Sequence, residues 1–347
     1  MQRLYIVLPA GYKSGGPELG HQLAAYYAKN SGLQVFAAYI GVKPGISPVN
    51  EAFKKYAVEW VKADEIVDDT ESVVIFPETM VSRLSDYKNV KKIIWWMSVD
   101  NYLVNSYVGA NIKLFVKDYS LGNFKNLLRI VKRFLCAPRN KFRRSRRNAF
   151  DADLHLYQSE YARQYLESRN IIENVMPLSD YINDSYFSVQ HDYSSINRQD
   201  IVLYNPKKGY KFTRKLMKKA PDLKWTPIQN MTTEQVVELL NKSKVYIDFG
   251  NHPGKDRFPR EAAISSCCVI TGKRGSAGND IDVSIPAEYK YDDKKENVDE
   301  IINKIKECLL DYDKHIDDFA AYRDKITKEK SVFFEEADRV LDVLQKL

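Results

Sequence analysis

The reactive side chains of this sequence crowd into one stretch, VYIDFGNHPGKDRFPREAAISSCCVITGKRGSAGN, residues 245–279. An apolar strand gives way to a turn-rich loop holding His252, Gly254, Lys255, Asp256 and Arg257, and Pro259 then opens a helix with Glu261 in its first turn. Proline is favoured at a helix start, and an acidic residue there complements the helix dipole, which is a purely structural account of Glu261. That account leaves open why the loop between a buried strand and a buried helix is filled with small and charged groups; a bound ligand explains it. A second stretch, IVLYNPKKGYKFTRKL from residue 201, sets Lys207 and Lys208 beside Gly209 at a strand-to-helix turn. Ammonium groups there suit a diphosphate through charge-assisted contacts. A solvated lysine pair fits the same residues.

The first half offers weaker signals. LPAGYKSGGPELGHQLA carries Gly15 and Gly16 in a loop that feeds a helix, where backbone amides can approach an anion; a plain turn reads the same way. His21 falls one turn into that helix, as a base or as a structural histidine. Glu78 follows VVIFP, and Asp100 with Asn101 follows IIWWMSV; these side chains face a ligand beyond the strand ends or cap the next helices. The spaced-glycine dinucleotide fingerprint and the Walker A run are absent from the sequence.

Placing such groups requires strands that deliver them to one edge of a sheet. Short β-rich runs alternate with helical patterns along the chain: 4–9, 35–40, 72–77, 92–97, 113–116 and 154–157, with helix-period stretches at 17–29 and 51–62. Near-continuous apolar strands between helices predict parallel sheets covered on both faces. The pattern breaks over the polar residues 180–199 and resumes with DIVLYN. The second half then has strands in IVLY, KWTPI, KVYIDF and CCVIT, with helices at 232–241 and 258–266. Two tandem α/β lobes follow, and the 347-residue length accommodates both. From 332 to 347, Phe333, Ala337, Val340, Leu341, Leu344 and Leu347 share one helical face, which predicts a packed terminal helix.

Composition narrows the class. The 44% apolar content fits a globular protein, not a disordered or fibrous one. Four cysteines without metal-ligand spacing read as reduced thiols of a cytosolic protein. The first strand starts almost at the initiator Met, which argues against a secretory leader, and no apolar run approaches the ~20 residues of a spanning helix. A soluble or peripheral protein is expected. The net charge of +7 is uneven: ten basic residues and no acidic one lie between Lys125 and Arg147, and without them the balance is −3. Phe124, Leu127, Leu128, Val131, Phe134 and Leu135 form one helical face there, with Lys125, Arg129, Lys132 and Arg133 off it. Such a segment suits an anionic membrane surface; a core-packed helix with a solvated face is the alternative. No recognised nucleic-acid motif accompanies these charges, so no nucleic-acid partner is expected.

The stretch PREAAISSCCVITGKRGSAGN resembles the second lobe of the GT-B glycosyltransferases, in particular the large, mostly retaining "group 1" set of bacterial polysaccharide synthesis, with Glu261 where the carboxylate that holds the donor ribose stands. The Gly15–Gly16 loop, DLHLYQSEYARQYL with Ser159, the linker-like VMPLSDYIN and SVFFEEADRVLDVL follow in the family's order, so the resemblance spans nearly the whole chain. It implies two Rossmann-like lobes facing across a cleft: an acceptor lobe at 1–180 with the basic segment 123–147, a linker at 181–199, a nucleotide-sugar donor lobe at 200–330, and a helix at 331–347 crossing back to the first lobe. By the same resemblance Lys207 and Lys208 neutralise the leaving diphosphate, Ile228 to Met231 read the base, and His252, Gly254, Lys255 and Arg257 lie by the phosphates and donor sugar. Gly15 and Gly16 join the donor- and nucleotide-binding set, and His21, Glu78 and Asp100 are the catalytic candidates.

The implied activity is transfer of a sugar from a UDP- or GDP-sugar to a lipid-linked or oligosaccharide acceptor at the cytoplasmic face of the plasma membrane, with retention and without a cofactor. The Asp-x-Asp pairs at 151/153, 280/282 and 311/313 do not follow an apolar strand as metal-dependent transferases of the other fold require, so no catalytic metal is expected. Two departures stand out. The family's loop usually opens with a glutamate eight residues before the ribose glutamate, where this chain has Pro253, and His21 is shifted by one residue from the position many relatives use. A GT-B-like partner subunit without catalysis is the alternative that Pro253 motivates.

Overall fold

The structure, a computed structural model, describes residues 1–107, 145–187 and 197–347. The basic segment up to residue 144 and the strand expected at 113–116 lie outside the described residues. The described chain divides into two compact units, one of residues 1–107, 145–180 and Val332–Leu347, the other of residues 181–187 and 197–331.

The first unit is built on a seven-stranded sheet: β1 (Arg3–Pro9), β2 (Gln34–Ile40), β3 (Trp60–Lys62), β4 (Ser72–Pro77), β5 (Lys91–Trp96), β6 (Leu154–Tyr157) and β7 (Val175–Pro177), in spatial order β3-β2-β1-β4-β5-β6-β7. Every pairing is parallel; Leu4 of β1 lies opposite Val35 on one side and Val73 on the other. Leu4 to Leu8 are all at most 2% exposed, as a strand covered on both faces requires. The helices here are α1 (Gly15–Asn30), α2 (Val99–Ser106) and α3 (Glu160–Ser168).

The second unit has five parallel strands: β8 (Gln199–Tyr204), β9 (Lys224–Pro227), β10 (Ser243–Asp248), β11 (Cys268–Gly272) and β12 (Lys290–Tyr291), in order β12-β11-β10-β8-β9. With them run α4 (Tyr210–Lys219), α5 (Thr233–Lys242), α6 (Arg257–Ile264) and α7 (Val298–Leu310). The last helix, α8 (Ala320–Leu344), begins within this unit and ends in the other. In each sheet the strand order reverses direction once, between β1 and β4 and between β8 and β10. A ligand crevice forms beyond the carboxyl ends of strands at such a reversal.

Several sequence expectations change. The stretch 51–62 is not one helix: Asn50 caps a 3-10 turn over Glu51–Tyr56, Ala57 takes a left-handed φ of 48°, and Trp60 starts β3. Three residues are too few for a strand to show its own period, and the aromatic spacing of Phe53 and Tyr56 masked it. Val175–Pro177, read as linker-like, is the edge strand β7, and Leu178 and Asp180 beyond it are buried. α6 starts two residues before Pro259, because the first amides of a helix need no intrahelical partner and so tolerate proline at the third position. In α8, Phe333, Ala337, Val340 and Leu344 are buried as expected, but Leu341 is half-buried and Leu347 is 43% exposed. The Tyr27 hydroxyl donates to Ala337 O at 2.7 Å, and the Glu336 carboxylate accepts from Ser179 N at 2.7 Å, fixing the helix end to the first unit. Cys267, Cys268 and Cys308 are buried free thiols. Among the described residues no helix is long and apolar enough to cross a membrane.

Candidate functional site

In the second unit three loops meet beyond the carboxyl ends of β8, β10 and β11. Their approach is closer than side chains allow. Gly209 has φ +57°, and a Cβ there would lie 2.4 Å from Phe249 O; one on Gly250 would lie 2.3 Å from Lys208 Cβ; one on Gly275 would lie 2.0 Å from His252 O. Hydrogen bonds close the same seams: Ser276 N donates to His252 O at 2.9 Å, the Ser276 hydroxyl to Gly254 O at 2.6 Å, and Arg274 Nη2 to Phe249 O at 2.7 Å.

Charge fills this frame. His252 is fully buried between two carboxylates, with Nδ1 2.9 Å from Asp256 Oδ2 and Nε2 3.6 Å from Asp248 Oδ1. The Nδ1 contact is off the line of a well-aligned hydrogen bond, although its length brings the two charges together. Burial alone would lower its pKa, but the Asp248 and Asp256 carboxylates outweigh burial and raise it. Burial likewise opposes ionisation of Asp256, yet the Lys208 ammonium, paired directly with it, and His252 hold that carboxyl below its usual range. Asp248 also accepts from the Tyr246 hydroxyl at 2.9 Å and from Gly250 N at 3.1 Å.

A second buried network anchors the loop from behind. Glu329 of α8 accepts Arg260 Nη1 at 2.7 Å and Lys255 Nζ at 3.0 Å, while Arg260 donates back to Asp256 O and Lys255 O. Of the residues singled out by sequence, Lys208, His252, Gly254, Lys255, Arg257 and Glu261 therefore gather on the β10–α6 loop and its neighbours. Lys208 and Lys255 are spent on Asp256 and Glu329, whereas the Lys207 side chain is exposed, its amide held by Asn205 Oδ1 at 3.0 Å. Ile228 is buried and donates to Tyr204 O at 2.9 Å; Met231, 39% exposed, lines with Gln229, Asn230 and the α5 surface a hollow of about 430 Å³.

The corresponding edge of the first unit is almost uncharged. Glu78, directly after β4, is 3% exposed; burial pushes its carboxyl up to about 8 despite the amides of Met97 and Ser98 that it accepts. His21 is 2% exposed, with Nδ1 2.6 Å from Pro17 O and Nε2 2.6 Å from the Tyr39 hydroxyl, and burial lowers its pKa. Both ring nitrogens are thus engaged within the fold. Asp100 accepts from the Tyr161 hydroxyl at 2.9 Å, and the cap of α2 is Ser98, not Asp100. Gly15 and Gly16 form the first turn of α1, whose N-cap Ser14 makes no side-chain cap bond; a Cβ on Gly16 would meet only Met97 at an ordinary 3.8 Å.

Solved structures share this architecture end to end. The sucrose-phosphate synthase of Thermosynechococcus elongatus superposes with a TM-score of 0.68 at 12% identity over 100% of both chains. HepE of Anabaena, in complex with UDP-glucose, superposes at 0.60 with 11% identity over 100% of both chains. WaaG, a glycosyltransferase involved in lipopolysaccharide biosynthesis, does so at 0.56 with 12% identity over 98% of this chain and 99% of its own. The chain has the GT-B fold. No family model and no curated protein matches it in sequence.

Within this GT-B chain, sequence reasoning missed the residues that hold the loop. Asp248 ends a strand and read as part of it; Arg260 was passed over within the helix; Glu329 lies 69 residues from its partner. The glycine required for packing in the first unit is Gly20, where a Cβ would come within 2.5 Å of Leu8 Cδ2, so α1 lies directly on β1. Its only sequence signal was a small residue four positions after Gly16.

Proposed function

We propose that the chain is a glycosyltransferase that moves a sugar from a UDP- or GDP-sugar to a saccharide or lipid-linked acceptor, with the donor bound by the second unit and the acceptor by the first. The observation that carries this is the set of three interlocked loops at the strand-order reversal of the second sheet, lined by cations and lying in a fold that HepE uses with UDP-glucose. Lys207, exposed beside the β8 turn, is the residue for the diphosphate, with the amides at the start of α6. As the bond between the sugar and the diphosphate breaks, charge grows on the departing oxygen, and a fixed ammonium with helix-start amides stabilises it in place of a metal ion. Asp248, His252 and Asp256 hold ligand atoms within 4.8 Å of one another, but Lys208 already neutralises Asp256 and the imidazole separates the carboxylates, which supports metal-independent chemistry.

Glu261, 8% exposed in α6, is proposed to take the ribose hydroxyls, and Ile228 to Met231 to border the base. His252, Gly254, Lys255 and Arg257 shape the phosphate and sugar side, with His252 and Lys255 acting through the loop they brace. In the first unit Glu78 is the group suited to handle a proton near neutral pH, ahead of His21, whose nitrogens are engaged, and of Asp100, which already accepts from Tyr161; Gly15 and Gly16 are proposed to turn their amides toward the donor's phosphates. Retention, a cytoplasmic location and attachment of residues 123–147 to an anionic membrane complete the proposal.

Calorimetric titration with UDP, GDP, UDP-glucose and GDP-mannose tests it. Binding of one nucleotide series, weakened about 10-fold or more by Glu261→Ala and by Lys207→Ala, is expected, since a hydrogen bond to a charged group contributes ~1.5–3 kcal/mol. No binding by any of them would overturn the donor site, and binding without turnover would favour the non-catalytic partner subunit that Pro253 suggests.

A further inference from the structure

Helix α4 breaks the electrostatic rules that its neighbours keep. It carries Lys211, Arg214, Lys215, Lys218 and Lys219 and no acidic residue, and its first turn opens from Gly209, which offers no side-chain cap. Cations near a helix start oppose the dipole, and like charges four apart, Lys211 with Lys215 and Arg214 with Lys218, repel. α5, by contrast, has a Thr232–Gln235 capping box, Glu234 in its first turn and a Glu238–Lys242 ion pair, and α7 opens with Asp299 and Glu300. Lys219 of α4 is relieved by Asp299 at 2.8 Å. Lys211, Arg214, Lys215 and Lys218 are all exposed and meet no carboxylate among the described residues. At 100° per residue these four fall within an arc of about 100° and span about 10 Å of helix. Phe212, Thr213 and Leu216 face the core, so the cationic stripe is the outward face.

We propose that this face of α4 is an electrostatic docking surface for an anionic phospholipid bilayer. No carboxylate among the described residues relieves the repulsion within the stripe, an external anion can, and the form of the stripe selects the kind. It is convex and of one sign, so it matches a flat charged surface. Three of the four groups are lysine ammoniums, point charges that attach without the fixed register of a bidentate arginine contact. Phe212 and Leu216 are committed to the core, and Tyr210, 43% exposed at the helix start, stacks on Tyr204 with ring centroids 6.2 Å apart, so no deep hydrophobic anchor stands out for a protein pocket. This contact is separate in sequence from the basic segment 123–147 and goes beyond the proposed function, which asks of the second unit only that it bind the donor.

Co-sedimentation of the full chain with phosphatidylcholine vesicles, with and without phosphatidylglycerol, tests the proposal at low and high salt. Wild type is expected to bind only the phosphatidylglycerol vesicles, more weakly at high salt. The variant Lys211→Gln/Arg214→Gln/Lys215→Gln/Lys218→Gln is expected to lose about fivefold per charge, roughly 600-fold in all. Unchanged nucleotide binding and thermal melting show that it is folded; if it is not, the pairs Lys211→Gln/Lys215→Gln and Arg214→Gln/Lys218→Gln replace it. Wild-type binding that the α4 variant keeps, and that Arg143→Gln/Arg144→Gln/Arg146→Gln/Arg147→Gln abolishes, would overturn the inference while leaving the first basic segment's role intact. Absence of vesicle binding, or tighter binding to double-stranded RNA or to polyglutamate than to vesicles, would overturn it as well.

Discussion

The two sheets expose their carboxyl edges to opposite electrostatic regimes. At the first, Glu78 and His21 are buried in surroundings that favour their neutral forms, and their hydrogen bonds are satisfied inside the fold. At the second, Lys208, Asp256, His252 and Asp248 form one charged chain, and Lys255, Glu329 and Arg260 form another behind it. The same βαβ scaffold thus makes a neutral crevice and a charged one, and the difference lies in which loop residues are braced by partners elsewhere in the chain. A neutral edge suits hydroxyl groups of an uncharged sugar; a charged edge suits a diphosphate.

Removing the brace should break the charged edge most severely. Glu329→Ala removes the carboxylate that buried Lys255 and Arg260 share, and urea denaturation should register a loss of about 3–5 kcal/mol. A loss below 1 kcal/mol would mean that the network is looser than its geometry.

The neutral edge has a pH signature. The folded pKa of Glu78, about 8, lies above its ordinary value of 4.5, so the folded state holds a proton that the unfolded chain releases. Stability from this group is complete below the unfolded pKa and falls as pH rises through that window, by about 1.4 kcal/mol per unit, levelling off above about 8. Glu78→Gln should abolish that slope, so that the variant equals wild type near pH 4 and exceeds it by a few kcal/mol near pH 8, as read from denaturation curves. Parallel pH profiles of the two proteins would contradict the neutral assignment.

Packing supplies a smaller contrast. Gly20→Ala should cost about 1–3 kcal/mol by forcing α1 from Leu8, whereas Gly16→Ala should stay within about 0.5 kcal/mol, and thermal melting separates them. Smallest is the effect of His252, whose raised pKa gives stability that is present below the unfolded value of 6.5 and is lost as pH rises through the folded value. His252→Asn should therefore differ most from wild type at mildly acidic pH and least in alkali.

Strands β4 and β6 were legible to the residue, because the compact runs SVVIFP and LHLY, mostly apolar and almost wholly buried, leave few alternatives. β3 was not legible, since an edge strand of three residues has no period and takes its conformation from β2. In the candidate site the loop chemistry could be read from residue types, as at His252 and Glu261. Which lysine is exposed could not: Lys207 and Lys208 are adjacent and identical in kind, and only the approach of Asp256 from 48 residues away separates them. Gly20 shows the same limit, because a glycine's necessity depends on the atom beneath it. The cationic stripe of α4 was visible as composition, but its lack of partners emerges only once α5 and α7 stand beside it.

Hydrogen exchange with and without saturating nucleotide, read by mass spectrometry, tests the central claim most directly. The account predicts slowed exchange in 205–210, 249–261 and 273–278 of the second unit, with the Glu78 turn of the first unchanged. Protection confined to the first unit, or spread over neither set of loops, would contradict it.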